Sequence, residues 1–61
     1  MKRSEILINQ IWESNIKDEF YKVLSTSKNK VELFNLDNVW DVKEISKEDL
    51  HNYFTLQTRG L

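Results

Sequence analysis

His51 is the only histidine and the chain has no cysteine, which leaves few side chains able to act as nucleophile, general base or metal ligand. Ser25, Thr26 and Ser27 place hydroxyls in a row, but the charged residues near them in sequence are Lys22, Lys28 and Lys30. An activated hydroxyl needs a base within hydrogen-bond reach and a third group to orient that base, and nothing here supplies the set. His51 falls in a short helical stretch and reads as a solvent-facing or hydrogen-bonded ring. Asp37 and Asp41 lack the glycine and closing glutamate of a calcium loop, and read as turn and surface residues. The single glycine is Gly60, so no glycine-rich loop exists to cradle a phosphate. The expectation is a protein that is not an enzyme and uses no metal and no cofactor.

Binding is better served than catalysis. Trp12, Trp40, Phe20, Phe34, Phe54, Tyr21 and Tyr53 are large for so small a chain, and exposed aromatics are how small folds grip peptides or bases. Trp40 is expected in the core, with Trp12 on a neighbouring strand and Tyr53 reaching over from a helix. Lys22, Lys28 and Lys30 form a modest basic edge in this reading. Asp37, Asp41, Glu44, Glu48 and Asp49 form an acidic side opposite, although charge runs are most often plain solvated faces. The candidate partner-binding residues are therefore Trp12, Tyr53, Asp37, Asp41 and Glu44.

The elements that must position these residues follow from length and pattern. A chain of 61 residues closes one core and no more, so residues 1–61 form one small domain. Lys30–Leu36 and Val39–Ile45 are rich in β-branched and aromatic residues and alternate in polarity, which marks two strands. Asp37-Asn38 between them tolerates the positive φ of a two-residue type I′ turn. Ser27-Lys28-Asn29, with Asn29 left-handed, joins the preceding run Phe20–Ser25 to this hairpin as a third strand. Ser46-Lys47-Glu48-Asp49 is a helix N-cap with an acid at the third helical position, and Ile45 and Leu50 occupy the positions of a hydrophobic staple. A short helix to about Tyr53 follows, and Thr55–Thr58 returns to strand. In the N-terminal third, Ile8, Trp12, Ile16, Phe20 and Leu24 recur every four residues, so a long amphipathic helix packed on a hairpin is the alternative, an α+β fold. The turn-prone pairs Ser14-Asn15 and Lys17-Asp18 favour strands.

The series Gln10-Ile11-Trp12, Glu19-Phe20-Tyr21-Lys22-Val23-Leu24, Val31-Glu32-Leu33, Val39-Trp40-Asp41-Val42, Ser46–Leu50 and Tyr53-Phe54 resembles small phage and prophage proteins with a Src-homology-3-like barrel. In that family an aromatic-bearing strand opens the fold, a Tyr-x-Val strand and a hairpin follow, and one helical turn precedes the last strand. The chain departs from the pattern at Asn9, where the family often has a glycine. The resemblance implies a mainly β fold, either a small barrel or a meander, and a phage-like context rather than an activity.

Nine basic against ten acidic residues leave a net charge of −1, which provides no global attraction for nucleic acid or an anionic membrane. Ile6-Leu7-Ile8 is too short for a signal peptide or a membrane span, so the expected compartment is the cytoplasm. The leading expectation is an interaction module that docks on a host protein to inhibit or redirect it. An accessory nucleic-acid-binding barrel and a self-associating subunit, such as a homodimer formed through an open strand edge, are the alternatives.

Overall fold

The protein, seen in a computed structural model that describes residues 5–58, is mainly β. Five strands form one antiparallel sheet: β1 (Ile11–Ser14), β2 (Phe20–Thr26), β3 (Lys30–Asn35), β4 (Asn38–Ser46) and β5 (Phe54–Thr58). A single helix, α1 (Lys47–Tyr53), separates the last two. β1 to β4 follow one another across the sheet, and β5 returns to pair with β1, giving the order β4-β3-β2-β1-β5. The sheet is open, with β4 and β5 at its two ends. The long N-terminal helix is overturned, because β1 and β2 occupy that segment and pair antiparallel, with Trp12 opposite Tyr21.

The core lies on one face of this sheet, as the alternation of strand side chains requires. Trp12 from β1, Tyr21 and Val23 from β2, and Val31 and Leu33 from β3 are buried together with Ile6 and with Leu50 of α1. Val23 stands opposite Leu33 and Val31 opposite Ile45, so the inward rows continue from strand to strand. Ile45, Phe54 and Leu56 close the margin, and the Tyr21 and Phe54 rings meet edge to face at 5.6 Å.

Among the described residues, two polar side chains are buried with the core, Gln10 and Asn35. Each is satisfied, as burial demands. The Gln10 Oε1 accepts from the Leu7 amide at 2.9 Å and from the Trp12 indole Nε1 at 3.1 Å, while its Nε2 donates to the Glu5 carbonyl at 2.9 Å. The turn before it needs a left-handed residue. Asn9 takes that conformation, with φ 75°, a role asparagine fills more readily than most residues.

α1 begins where the capping signal placed it. The Ser46 hydroxyl accepts from the Asp49 amide at 3.0 Å, Glu48 and Asp49 occupy the first turn, and Leu50 is the residue the helix buries. Ser46→Ala should lower stability by about 1 kcal/mol, read as a shift in urea midpoint; an unchanged midpoint would contradict this cap.

Two turns differ in detail from expectation. The hairpin turn is Leu36-Asp37, one residue earlier than Asp37-Asn38, with Asn35 opposite Asn38. The Asn35 Oδ1 accepts from the Asp37 amide at 2.8 Å, so an Asx turn replaces the type I′ turn. Asn29 is not left-handed either, since Asn9 is the only non-glycine residue with positive φ among the described residues. The Ser27–Asn29 turn closes instead through the Ser27 amide, which donates to the Lys30 carbonyl at 2.9 Å.

Candidate interaction surface

The two tryptophans exchange the places expected of them. Trp12 is 2 % exposed and Trp40 is 90 % exposed. They do not sit on neighbouring strands either, because β2 and β3 lie between β1 and β4. Trp12 is therefore a core residue and not a surface anchor: its ring is held by the Gln10 hydrogen bond and by an edge contact at 5.6 Å with His51, which is half-buried. Trp40 is the aromatic that the fold leaves in water.

Its position follows from the hairpin. A two-residue turn without positive φ does not match the twist of the flanking strands, and the β3–β4 ladder is interrupted beside it. Asn35 faces Asn38 and Phe34 faces Val42, so no residue of β3 stands opposite Val39, Trp40 or Asp41. This bulge leaves the three residues without a ladder partner on β3, and the Asn38 Oδ1 accepts from the Trp40 amide at 3.3 Å instead. Leu36, Val39 and Val42 are also exposed, and the Leu36 amide donates to the Phe20 carbonyl, which ties the hairpin tip to the start of β2, where Phe20 is itself exposed. The hairpin thus carries several exposed apolar side chains, of which Trp40 is the most exposed.

Carboxylates surround it in sequence. Asp37 lies in the turn and is exposed, Asp41 follows Trp40 and is half-buried, and Glu44 is exposed on β4. The acidic and basic groups are not on opposite sides of the molecule, as expected, because the Glu44 carboxylate pairs with the Lys30 ammonium at 3.9 Å. That pair is exposed and adds little stability. Lys43 points to the core side, its ammonium 5.2 Å from the centre of the Tyr21 ring, while the Tyr21 hydroxyl donates to Glu19 at 3.0 Å. A hydrogen bond with Tyr21, aided by the charges of Asp41 and Glu19, holds the Lys43 pKa above its ordinary value against a smaller effect of burial.

Tyr53 is half-exposed at the end of α1, but its backbone belongs to another neighbourhood. Its carbonyl accepts from the Asn15 amide at 2.8 Å, which joins α1 to the loop after β1. That loop encloses an open hollow lined by Glu13, Ser14, Asn15, Ile16, Lys17 and Asp18, and the Ser14 hydroxyl accepts from the Ile16 and Lys17 amides. Among the described residues, no group of three or more His, Asp or Glu side chains is placed to hold a metal, and no helix is long and apolar enough to cross a membrane.

Comparison of the chain with family models, curated proteins and solved structures finds no match.

Proposed function

We propose that this chain is a protein-interaction module, phage- or prophage-encoded, that docks on a host protein in the host cytoplasm and inhibits or redirects it. The observation that carries the reading is the exposure of Trp40 on a bulged hairpin beside exposed Leu36, Val39 and Val42. Interface energy concentrates in a few aromatic anchors that fill pockets on a partner, with charges at the rim acting mainly on the encounter. Trp40 takes the anchor role first assigned to Trp12, and Asp37, Asp41 and Glu44 supply the rim. The phage setting and the Src-homology-3-like reading rest on the resemblance. The strand order and the one helix before the last strand agree with the barrel reading, and Asn9, left-handed where the family often has glycine, is the point at which the chain departs from it.

The test is capture from a bacterial lysate with the tagged chain, read by mass spectrometry. A single stoichiometric protein is the expected result. Nucleic acid that co-purifies and leaves at high salt, with no protein retained, would replace this reading with the nucleic-acid one.

A further inference from the structure

We infer that the sheet face turned away from the core packs against the same face of a second copy, with Lys22 of each chain paired to Glu32 of the other. The inference goes beyond the docking reading, since it concerns the chain alone. Strand alternation defines this face. Tyr21, Val23, Val31 and Leu33 are buried in the core, so Lys22, Glu32 and Phe34, which alternate with them, lie on the other side. The ladders set Lys22 opposite both Ile11 and Phe34, and Phe34 opposite Val42. Directly opposed residues share a face, so Ile11, Lys22, Phe34 and Val42 form one row across four strands. The elements that cover the sheet, α1 and the segment before β1, give Leu50 and Ile6 to the core face. A chain of 61 residues with no cysteine has a small core and no disulfide, and association is one of the ways in which small chains gain further burial.

Two charges on this face are unanswered within the chain. Lys22 is half-buried in the apolar row, and Glu32 is half-buried directly opposite the like charge of Glu44. Lys30 answers Glu44 at 3.9 Å, while Glu32 accepts from the Ser25 hydroxyl at 3.2 Å. Among the described residues neither Lys22 nor Glu32 has an ion-pair partner. Partly burying an unpaired charge costs free energy, and a partner with both signs at the same spacing removes that cost. A second copy is such a partner. Lys22 stands opposite Phe34, and Glu32 is two residues from Phe34 on β3, an offset of about 4.8 Å across the strands and about 6.8 Å along them. Consider a two-fold axis lying between the two faces, perpendicular to the line from Lys22 to Glu32. It brings each lysine over the other copy's glutamate, an isologous contact. The same rotation leaves Phe34 and Val42 beside the axis, each close to its own copy, so an apolar seam runs between the two ion pairs. The strands of the two sheets then cross steeply, as in orthogonal sheet packing.

Sedimentation velocity of the full chain at low salt, from micromolar to millimolar concentration, tests this. The wild-type chain should dimerise. Lys22→Glu and Glu32→Lys should each weaken dimerisation by about tenfold or more, because each turns two attractive pairs into repulsive ones. Mixed in equal amounts, the two variants should recover association as a heterodimer, and the double variant should recover it as a homodimer. Circular dichroism checks that each variant is folded. Glu32→Lys replaces the like-charge pair with Glu44 by an opposite-charge one, so it keeps the test decisive if Lys22→Glu does not fold. Three results overturn the inference: a wild-type chain that stays monomeric at millimolar concentration, a dimer indifferent to Glu32→Lys, or folded variants whose mixture does not recover association. None of them bears on capture of a host protein, which is read separately.

Discussion

Trp12→Ala should unfold this protein. The ring is almost wholly buried, it stands opposite Tyr21 in the β1–β2 ladder, and β1 is the strand that holds β5 to the rest of the sheet. Removing a buried tryptophan typically costs about 3–5 kcal/mol, whereas a chain of this length has on the order of 3–9 kcal/mol in all. Far-ultraviolet circular dichroism and urea denaturation should show loss of the cooperative transition. Trp40→Ala is the counterpart: with 90 % of the residue in water, its removal should leave the transition within about 0.5 kcal/mol of wild type, the usual range for surface changes. Reversed outcomes for the two variants would mean that the sheet is facing the other way.

Gln10→Leu should be the next most damaging change. The leucine fills a similar space, but the Leu7 amide and the Trp12 indole lose their common acceptor, and the Glu5 carbonyl loses its donor. A buried polar group left without a partner costs about 1–3 kcal/mol, and the two donors lie in the part-buried to buried region around Trp12. The expected loss is about 2–3 kcal/mol in urea denaturation. A neutral Gln10→Leu would show that water replaces the amide, and that the segment before β1 is not pinned by this residue.

Much of the fold was legible because two-residue alternation is a strong signal wherever one face is buried. Tyr21 and Val23, Val31 and Leu33, and the Ser46 cap all stand where that pattern and the capping chemistry put them. The four-residue recurrence from Ile8 to Leu24 was ambiguous for a simple reason: four is also a multiple of two, so a helix stripe and a strand face share the spacing. Loops then break the count, and of that series only Trp12 is buried, while Ile16 lies exposed in the loop after β1.

The site was less legible than the fold. Aromatic type alone argues for burial, and it placed Trp40 inside. Yet counting back in twos from the charged Glu44 reaches Val42 and then Trp40, a parity that separates Trp40 from the partly buried Ile45. The same count was available in the sequence and outweighs residue type. What it does not reveal is the bulge, since that depends on Asn35 capping the turn and shifting it to Leu36-Asp37, a choice made by side-chain hydrogen bonding and not by hydrophobic pattern. Trp12 carried its own hint two residues earlier: Gln10 shares its face in a strand and can accept from the indole, as it does.

The central claim is that Trp40 anchors a protein partner, and the affinity of the captured host protein for Trp40→Ala tests it most directly. Because this variant keeps its fold, any loss of binding reports the anchor alone. Truncating an aromatic anchor seated in a partner pocket costs about 2 kcal/mol or more, so binding should weaken at least about thirtyfold, chiefly through faster dissociation. A folded Trp40→Ala protein that binds the same partner with unchanged affinity would contradict the account.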